Sequence, residues 1–531
     1  MAAGRHLRER EDRRAPGHRD TPFDHHTVRI RWSGLAAGLA AAVIVYAALP
    51  DDLAGPAKVT AATAVLMGIW WMTEAIPIPA TALVPLVVFP ILSGADINAV
   101  GASYGNSIIF LFMGGFMLAL AMQRWDLHRR IALRTVRAMG TRPPMVVAGF
   151  MLATAFLSMW VSNTATAVMM IPIGVSVLVL VTDISASARP HDEDGGGPHG
   201  HVEHPEHAQQ RLREAVIESD FGTALILGIA YAASIGSLAT IIGTPPNTLL
   251  VGYLREAHGI SIGFGQWMLV GLPLAAVFLV IAWALLTKVL FPPEIDDIPG
   301  GRRLIDEEIH ALGPASTAEK RVAAVFATAA VAWVTTPLIW PDNTPITDAG
   351  IAMVAALLLF ALPAGAQRGV RLMAWHSAER LPWGVLLLFG GGLALSAQFG
   401  ASGLTEWIGE QTAGLGGLPV VLMVVILTAG IIFLTELTSN TATAATFLPV
   451  AGGVALGIGV DPLLLAIPVA LAATCAFMLP VATPPNAIAF GSGYVTIGQM
   501  VRGGLGLNLI GIVLITGTVL TIAAWVFSIV Y

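Results

Sequence analysis

The chain has 531 residues, of which 55% are hydrophobic and only 12% charged, and its mean hydropathy is +0.75. That composition lies far outside the range of soluble domains, so the length divides into membrane spans and not globular units. With a net charge of -6 and its Lys and Arg gathered in a few connecting segments, the chain offers no nucleic-acid surface; the single cysteine, Cys475, excludes an intrachain disulfide and a thiolate metal cluster and reads as packing.

Residues 1–31 are rich in Arg and His and run into an apolar stretch beginning near Trp32, with no clear small-residue cleavage site. The expectation is a retained cytosolic tail; Arg13-Arg14 lies too far upstream of the apolar stretch for a twin-arginine export signal. Because about 20 apolar residues cross a bilayer, spans are expected at 33–50, 57–74, 78–94 and 106–123. An Arg-rich segment, 124–142, leads into a long apolar region at 144–181 that carries the polar run Ser162-Asn163-Thr164-Ala165-Thr166-Ala167 at its middle. A polar hexapeptide at mid-depth predicts a re-entrant hairpin. A hydrophilic stretch, 183–220, follows it. Further spans fit 221–252 (broken at Pro245-Pro246), 266–291, 321–339, 347–363 and 382–399. A second hairpin is expected at 418–457, then a broken span at 462–490 and a last span at 505–530. The fold class is therefore an all-α polytopic membrane protein of about eleven transmembrane helices plus two re-entrant hairpins.

Charge tests the layout, since Lys and Arg collect on the cytosolic side. With the N-terminus inside, only Lys58 and Arg255 of the 28 basic residues fall on the outer side. The C-terminus is then extracytoplasmic, and the inner membrane of the cell is the expected location.

The hexapeptide returns unchanged as Ser439-Asn440-Thr441-Ala442-Thr443-Ala444, 277 positions on. The same offset pairs Phe112, Gly114 and Gly115 with Phe389, Gly391 and Gly392, and Pro172 with Pro449. A second element also recurs: Gly243-Thr244-Pro245-Pro246-Asn247 and Ala482-Thr483-Pro484-Pro485-Asn486, 239 positions apart. The two offsets differ by 38, the length of 183–220, which is thus an insertion in the first half. An odd number of crossings separates the two hexapeptides, so the repeats are expected to be inverted in the membrane.

Small hydroxyl and amide side chains suit a hairpin tip where backbone groups need partners, and for one motif alone that structural account suffices. Its duplication, joined to a duplicated Pro-Pro break, points instead to a transporter's central binding site. Each Pro pair leaves free carbonyls upstream, which bind cations, and opens a new helix N-terminus downstream, which attracts anions.

These motifs, together with Trp71-Met72-Thr73-Glu74-Ala75-Ile76-Pro77-Ile78-Pro79 and Thr435-Glu436-Leu437-Thr438-Ser439-Asn440-Thr441, resemble the divalent anion/sodium symporter family nearly end to end. The resemblance implies a homodimer whose scaffold holds the dimer while a transport domain bearing both hairpins moves as an elevator. The scaffold would be 32–143 and 293–400, and the transport domain 144–292 and 401–531. It further implies sodium-coupled uptake of C4-dicarboxylates such as succinate, malate and fumarate, with sulfate and tricarboxylates as variations, and no cofactor besides the coupling ion. Carried over, one sodium site would use Ser158, Ser162, Asn163 and the carbonyl of Gly243, and its mirror Thr435, Ser439, Asn440 and the carbonyl of Ala482. Substrate carboxylates would meet Asn163, Thr164 and Thr244 from one half, and Asn440, Thr441, Thr483 and Pro484 from the other.

Neutral oxygens suit a weakly held monovalent ion that must be released. No motif holds a basic residue, so the bound cations and helix dipoles must supply the positive field, and sodium is expected to bind before the anion. Glu436 has Met159 as its mirror and reads as a residue that orients hairpin backbone, with proton or cation coupling as the alternative. The His-rich insertion (His191, His199, His201, His204, His207) reads as a solvated loop, with metal chelation as the alternative; Trp70-Trp71 reads as packing or interface anchoring. A membrane-embedded enzyme is disfavoured because neither HExxH nor a P-loop occurs. A channel would need a continuous wet pore. A sodium-independent exchanger shares nearly every motif and is the serious rival.

Overall fold

A computed structural model describes residues 25–187, 219–295, 298, 301–340, 344–365 and 368–530. All regular structure among them is helical. Eight of the described helices are long and apolar enough to cross a membrane, and the shorter apolar helices form hairpin arms, the first half of the second broken span and the expected spans at 78–94 and 347–363. Their outward faces carry Val43, Ile91, Leu338 and Val513, all strongly exposed as lipid-facing side chains must be.

Both predicted hairpins form. The first pairs Pro143–Ser158 with Asn163–Ser187, and the second pairs Val420–Thr435 with Asn440–Ile458. In each, the hexapeptide ends the connection and starts the returning helix, and each returning helix carries an interior proline at the matched position, Pro172 or Pro449. Both broken spans are discontinuous as well, Asp220–Ser237 followed by Pro245–His258, and Pro462–Thr474 followed by Pro484–Gly491. Proline occupies the first turn of both downstream halves, where its missing N–H costs nothing.

Small residues let these elements approach closely. A Cβ on Gly236 would lie 2.3 Å from the carbonyl oxygen of Ala155, so the first hairpin and first broken helix touch backbone to backbone. The expected span at 78–94 is not one helix: Ile78–Thr81 and Val84–Val88 are short pieces followed by a widened turn at Phe89–Ser93. Prolines at 79, 85 and 90 interrupt the i→i−4 ladder and account for the difference.

The amphipathic helix Leu127–Met139 and the helix Gly301–Ala311 are tied by Arg137–Asp306 at 2.7 Å and by Arg129–Glu308. Arg130 is buried, reaches Glu319 at 2.7 Å and donates to the carbonyl of Gly313. These contacts join two basic segments that the charge partition puts on the same side of the membrane. The His-rich part of the insertion lies outside the described residues.

Candidate substrate and cation site

The hydroxyls four residues before each Ser-Asn-Thr are fully buried and make matching contacts. Ser158 Oγ lies 2.7 Å from Asn163 Oδ1 and 2.6 Å from the carbonyl oxygen of Ala233. Thr435 Oγ1 lies 2.8 Å from Asn440 Oδ1 and 3.0 Å from the carbonyl oxygen of Ala473. Each hydroxyl has one proton to donate and faces two acceptors. Each repeat thus gathers three neutral oxygens with a lone pair left over, a donor set that fits a monovalent cation and needs no carboxylate ligand. Ala233, Ala473 and Ser237, whose Oγ accepts from Asn163 Nδ2 at 3.3 Å, were not singled out from sequence. They carry no polar motif, and only the fold brings them to the hairpin tips.

Gly243 is required by space, since a Cβ there would sit 2.3 Å from the carbonyl oxygen of Ser237. The mirror position tolerates Ala482 because the second span unwinds earlier, after Thr474 instead of after Ser237. That longer unwinding frees backbone donors, and Glu436 takes them up. Its buried carboxylate accepts from the N–H groups of Phe477 (2.7 Å), Met478 (2.9 Å) and Leu479 (3.0 Å), and from Asn508 Nδ2 at 2.7 Å. The backbone that Glu436 orients therefore belongs to the second broken helix and not to the hairpin itself. In the first repeat the equivalent turn is held by Thr240, whose hydroxyl donates to the carbonyl of Met159. Asn247 and Asn486 serve the breaks likewise, each donating to carbonyls of its own unwound segment. Ser162 Oγ accepts from Ala165 N–H at 3.2 Å and Thr483 Oγ1 from Asn486 N–H at 3.3 Å, so both also cap helices.

One cavity of about 820 Å³ joins the two halves. Ser162, Asn163, Thr164, Gly243, Thr244, Ser439, Asn440, Thr441, Ala482, Thr483 and Pro484 all line it, while Ser158 and Thr435 lie buried behind its wall. Asn163, Pro245, Asn440 and Pro484 are the first residues of four helices, so four N-termini meet one space. The dipoles of these helices favour an anion where the motifs hold no basic side chain. Thr244 Oγ1 and Thr474 Oγ1 approach to 3.4 Å and link the two broken helices. Trp71 is wholly buried, donates to the carbonyl of Ile78 and also lines the cavity. Cys475 is buried too. Among the described residues no cluster of His, Cys, Asp and Glu has the make-up of a metal site.

Residues 29–529 match the family described as the sodium:sulfate symporter transmembrane region. The chain belongs to this family, the divalent anion/sodium symporters. It is 42% identical to the sodium-dependent dicarboxylate transporter SdcS of Staphylococcus saprophyticus over 88% of this chain and 86% of that protein. It is 41% identical to the protein of the same name from Staphylococcus aureus, with the same coverage. The solved YdaH transporter of Alcanivorax borkumensis shares the fold with a TM-score of 0.52 at 12% identity, over 95% of this chain and 98% of that one. Family membership makes the chain a multi-pass membrane transporter and not an enzyme.

Proposed function

We propose that this symporter carries C4-dicarboxylates such as succinate, malate and fumarate into the cell with sodium. The supporting observation is the single cavity that receives four helix N-termini and is flanked by two matched sets of neutral oxygens. Sodium occupies the Ser158–Asn163 and Thr435–Asn440 sets, with Ser162, Ser439 and the carbonyls of Gly243 and Ala482 completing them. The dianion lies between Asn163, Thr164 and Thr244 on one side and Asn440, Thr441, Thr483 and Pro484 on the other. The cations and the helix dipoles together supply the field that holds it, so sodium binds first. The names of the SdcS relatives agree with this substrate and ion.

The repeats match in sequence but not in exposure, which supports alternating access. Leu437 and Val481 are 70% and 78% exposed, whereas their mirrors Trp160 and Ile242 are 9% and 8% exposed. Trp160 packs against Phe264 and Phe326. The cavity reaches Arg31, Gln123 and Arg380, the side that the charge partition makes cytosolic. On the other side Arg255 donates to Ser107 Oγ at 2.7 Å and Asn106 donates to Glu256 at 3.1 Å, closing the seam. This arrangement is an inward-facing state with the N-terminus inside and the C-terminus outside. Segments 144–292 and 401–531 move as the transport domain of an elevator against a scaffold of 32–143 and 293–400, within a homodimer.

Uptake of labelled succinate into proteoliposomes tests the reading. It is expected to rise steeply with external sodium and to be inhibited by malate and fumarate. Equal uptake with choline in place of sodium would make the protein an exchanger, and preference for sulfate or citrate would reassign the substrate.

A further inference from the structure

The downstream halves of the two broken helices carry a glycine at the same place, Gly252 and Gly491, 239 positions apart like the Thr-Pro-Pro-Asn motifs before them. Their surroundings differ. Gly252 is buried, and a Cβ there would lie 2.9 Å from Ile108 Cγ2 and 3.0 Å from Leu393 Cδ2, so two side chains of the proposed scaffold fill the notch left by the missing side chain. Gly491 is exposed, and a Cβ there would meet nothing within 4 Å. The offset of 277 gives Ile108 and Leu393 their own counterparts, Val385 and Phe116. Ile108 and Leu393 are buried, whereas Val385 and Phe116 are half-buried and line the open cavity. A second pair repeats the pattern. Ile242 packs on Gly115, where a Cβ would come within 2.8 Å of it, while its mirror Val481 stands exposed in the cavity and Gly392 has Ala445 and Leu249 as its nearest neighbours.

Glycine weakens a helix, and nothing in this state asks for one at position 491: its backbone is helical and the space beside it is empty. The matching notch at Gly252 shows what such a glycine is for. On the inward-facing reading above, we propose that Gly491 is the second docking seat of the transport domain on the scaffold. When the cavity closes to the cytosol, Phe116 and Val385 enter the notch at Gly491 as Ile108 and Leu393 now fill the one at Gly252, Val481 settles on Gly392, and the Gly252 seat empties. Two seats of like chemistry keep the two states close in energy, as a carrier that must return requires.

Filling the notch should spare the present state and block the other. For Gly491→Leu, the midpoint of thermal unfolding in detergent, and its rise on adding succinate with sodium, should match those of the unmodified protein, because the new side chain meets open space. Sodium-driven uptake of succinate should fall about tenfold or more, with Gly491→Ala in between. Trimming the partner, as Phe116→Ala combined with Gly491→Leu, should recover much of the loss. Gly491→Cys paired with Val385→Cys should be joined by a short thiol cross-linker only under conditions that protect Leu437→Cys from a cytosolic reagent. Full uptake by Gly491→Leu, or no cross-link under any condition, overturns the seat. So does loss of uptake accompanied by a lower midpoint or lost succinate binding, since Gly491 would then be needed in the present state. Absence of succinate uptake in the unmodified protein overturns the substrate instead, and reaction of Leu437→Cys only from the outer side overturns the orientation; in both cases the cross-link, which needs no substrate, still decides the seat.

Discussion

Asn163 and Asn440 are each tied through Oδ1 to a buried hydroxyl while facing the shared cavity, so each amide stands between a proposed cation set and the proposed anion position. Replacing either by Ala should abolish sodium-dependent uptake, with the protein still eluting as folded material on size exclusion; undiminished uptake in either variant would move the site elsewhere. Glu436 has a different task. Removing its carboxylate by Glu436→Ala leaves three backbone N–H groups and an amide without their acceptor in a buried setting. At about 1–3 kcal/mol for each orphaned group, a loss of about 3 kcal/mol or more is expected, visible as a lower midpoint of thermal unfolding in detergent. Gln at the same position retains one acceptor oxygen and should fall between. An unfolding midpoint unchanged in the Ala variant would return Glu436 to a coupling role.

At the level of elements, the two hairpins and two broken helices are one design used twice, with different repairs where the backbone opens. Gly243 lies in the tighter break and Ala482 in the looser one, so the mirror exchange is unequal. Gly243→Ala pushes a methyl group into the carbonyl of Ser237 and should raise the sodium concentration for half-maximal uptake several-fold, whereas Ala482→Gly should change it little. Similar sodium curves for both would show that the close approach has no bearing on the cation. The insertion at 183–220 has no counterpart in the second half. Deleting most of it is expected to leave uptake and folding nearly intact, measured against sensitivity to zinc; collapse of uptake would make the loop a regulatory element.

For the whole molecule, the unequal exposure of mirrored residues predicts a change of state. Leu437→Cys should react with a thiol reagent supplied from the cytosolic side, and Trp160→Cys only after the outer seam at Ser107–Arg255 and Asn106–Glu256 has opened. The single native thiol, Cys475, is buried and gives a low background. Sodium and succinate should shift the two reaction rates in opposite directions. Reaction of both positions from the same side under all conditions would contradict movement between two facing states.

Membrane residence, the two hairpins and their pairing by repeat were legible because the bilayer permits few structures. Unbroken apolar length reads as a span, and a polar interruption can persist only where protein or water covers it. Ser158 and Thr435 came from the family resemblance, supported by a hydroxyl at the same place before each Ser-Asn-Thr. The carbonyls of Ala233 and Ala473 were not legible, since a backbone oxygen leaves no trace in residue type. Nor could the sequence place Arg31 and Arg380 on the lining of one cavity, because more than three hundred residues separate them. Local pattern determined which segments break and what chemistry they expose. Packing alone decided which oxygens meet, which half of a symmetric pair is open, and that Glu436 serves the later break, because each depends on contacts between distant segments that only the folded chain brings within hydrogen-bonding reach.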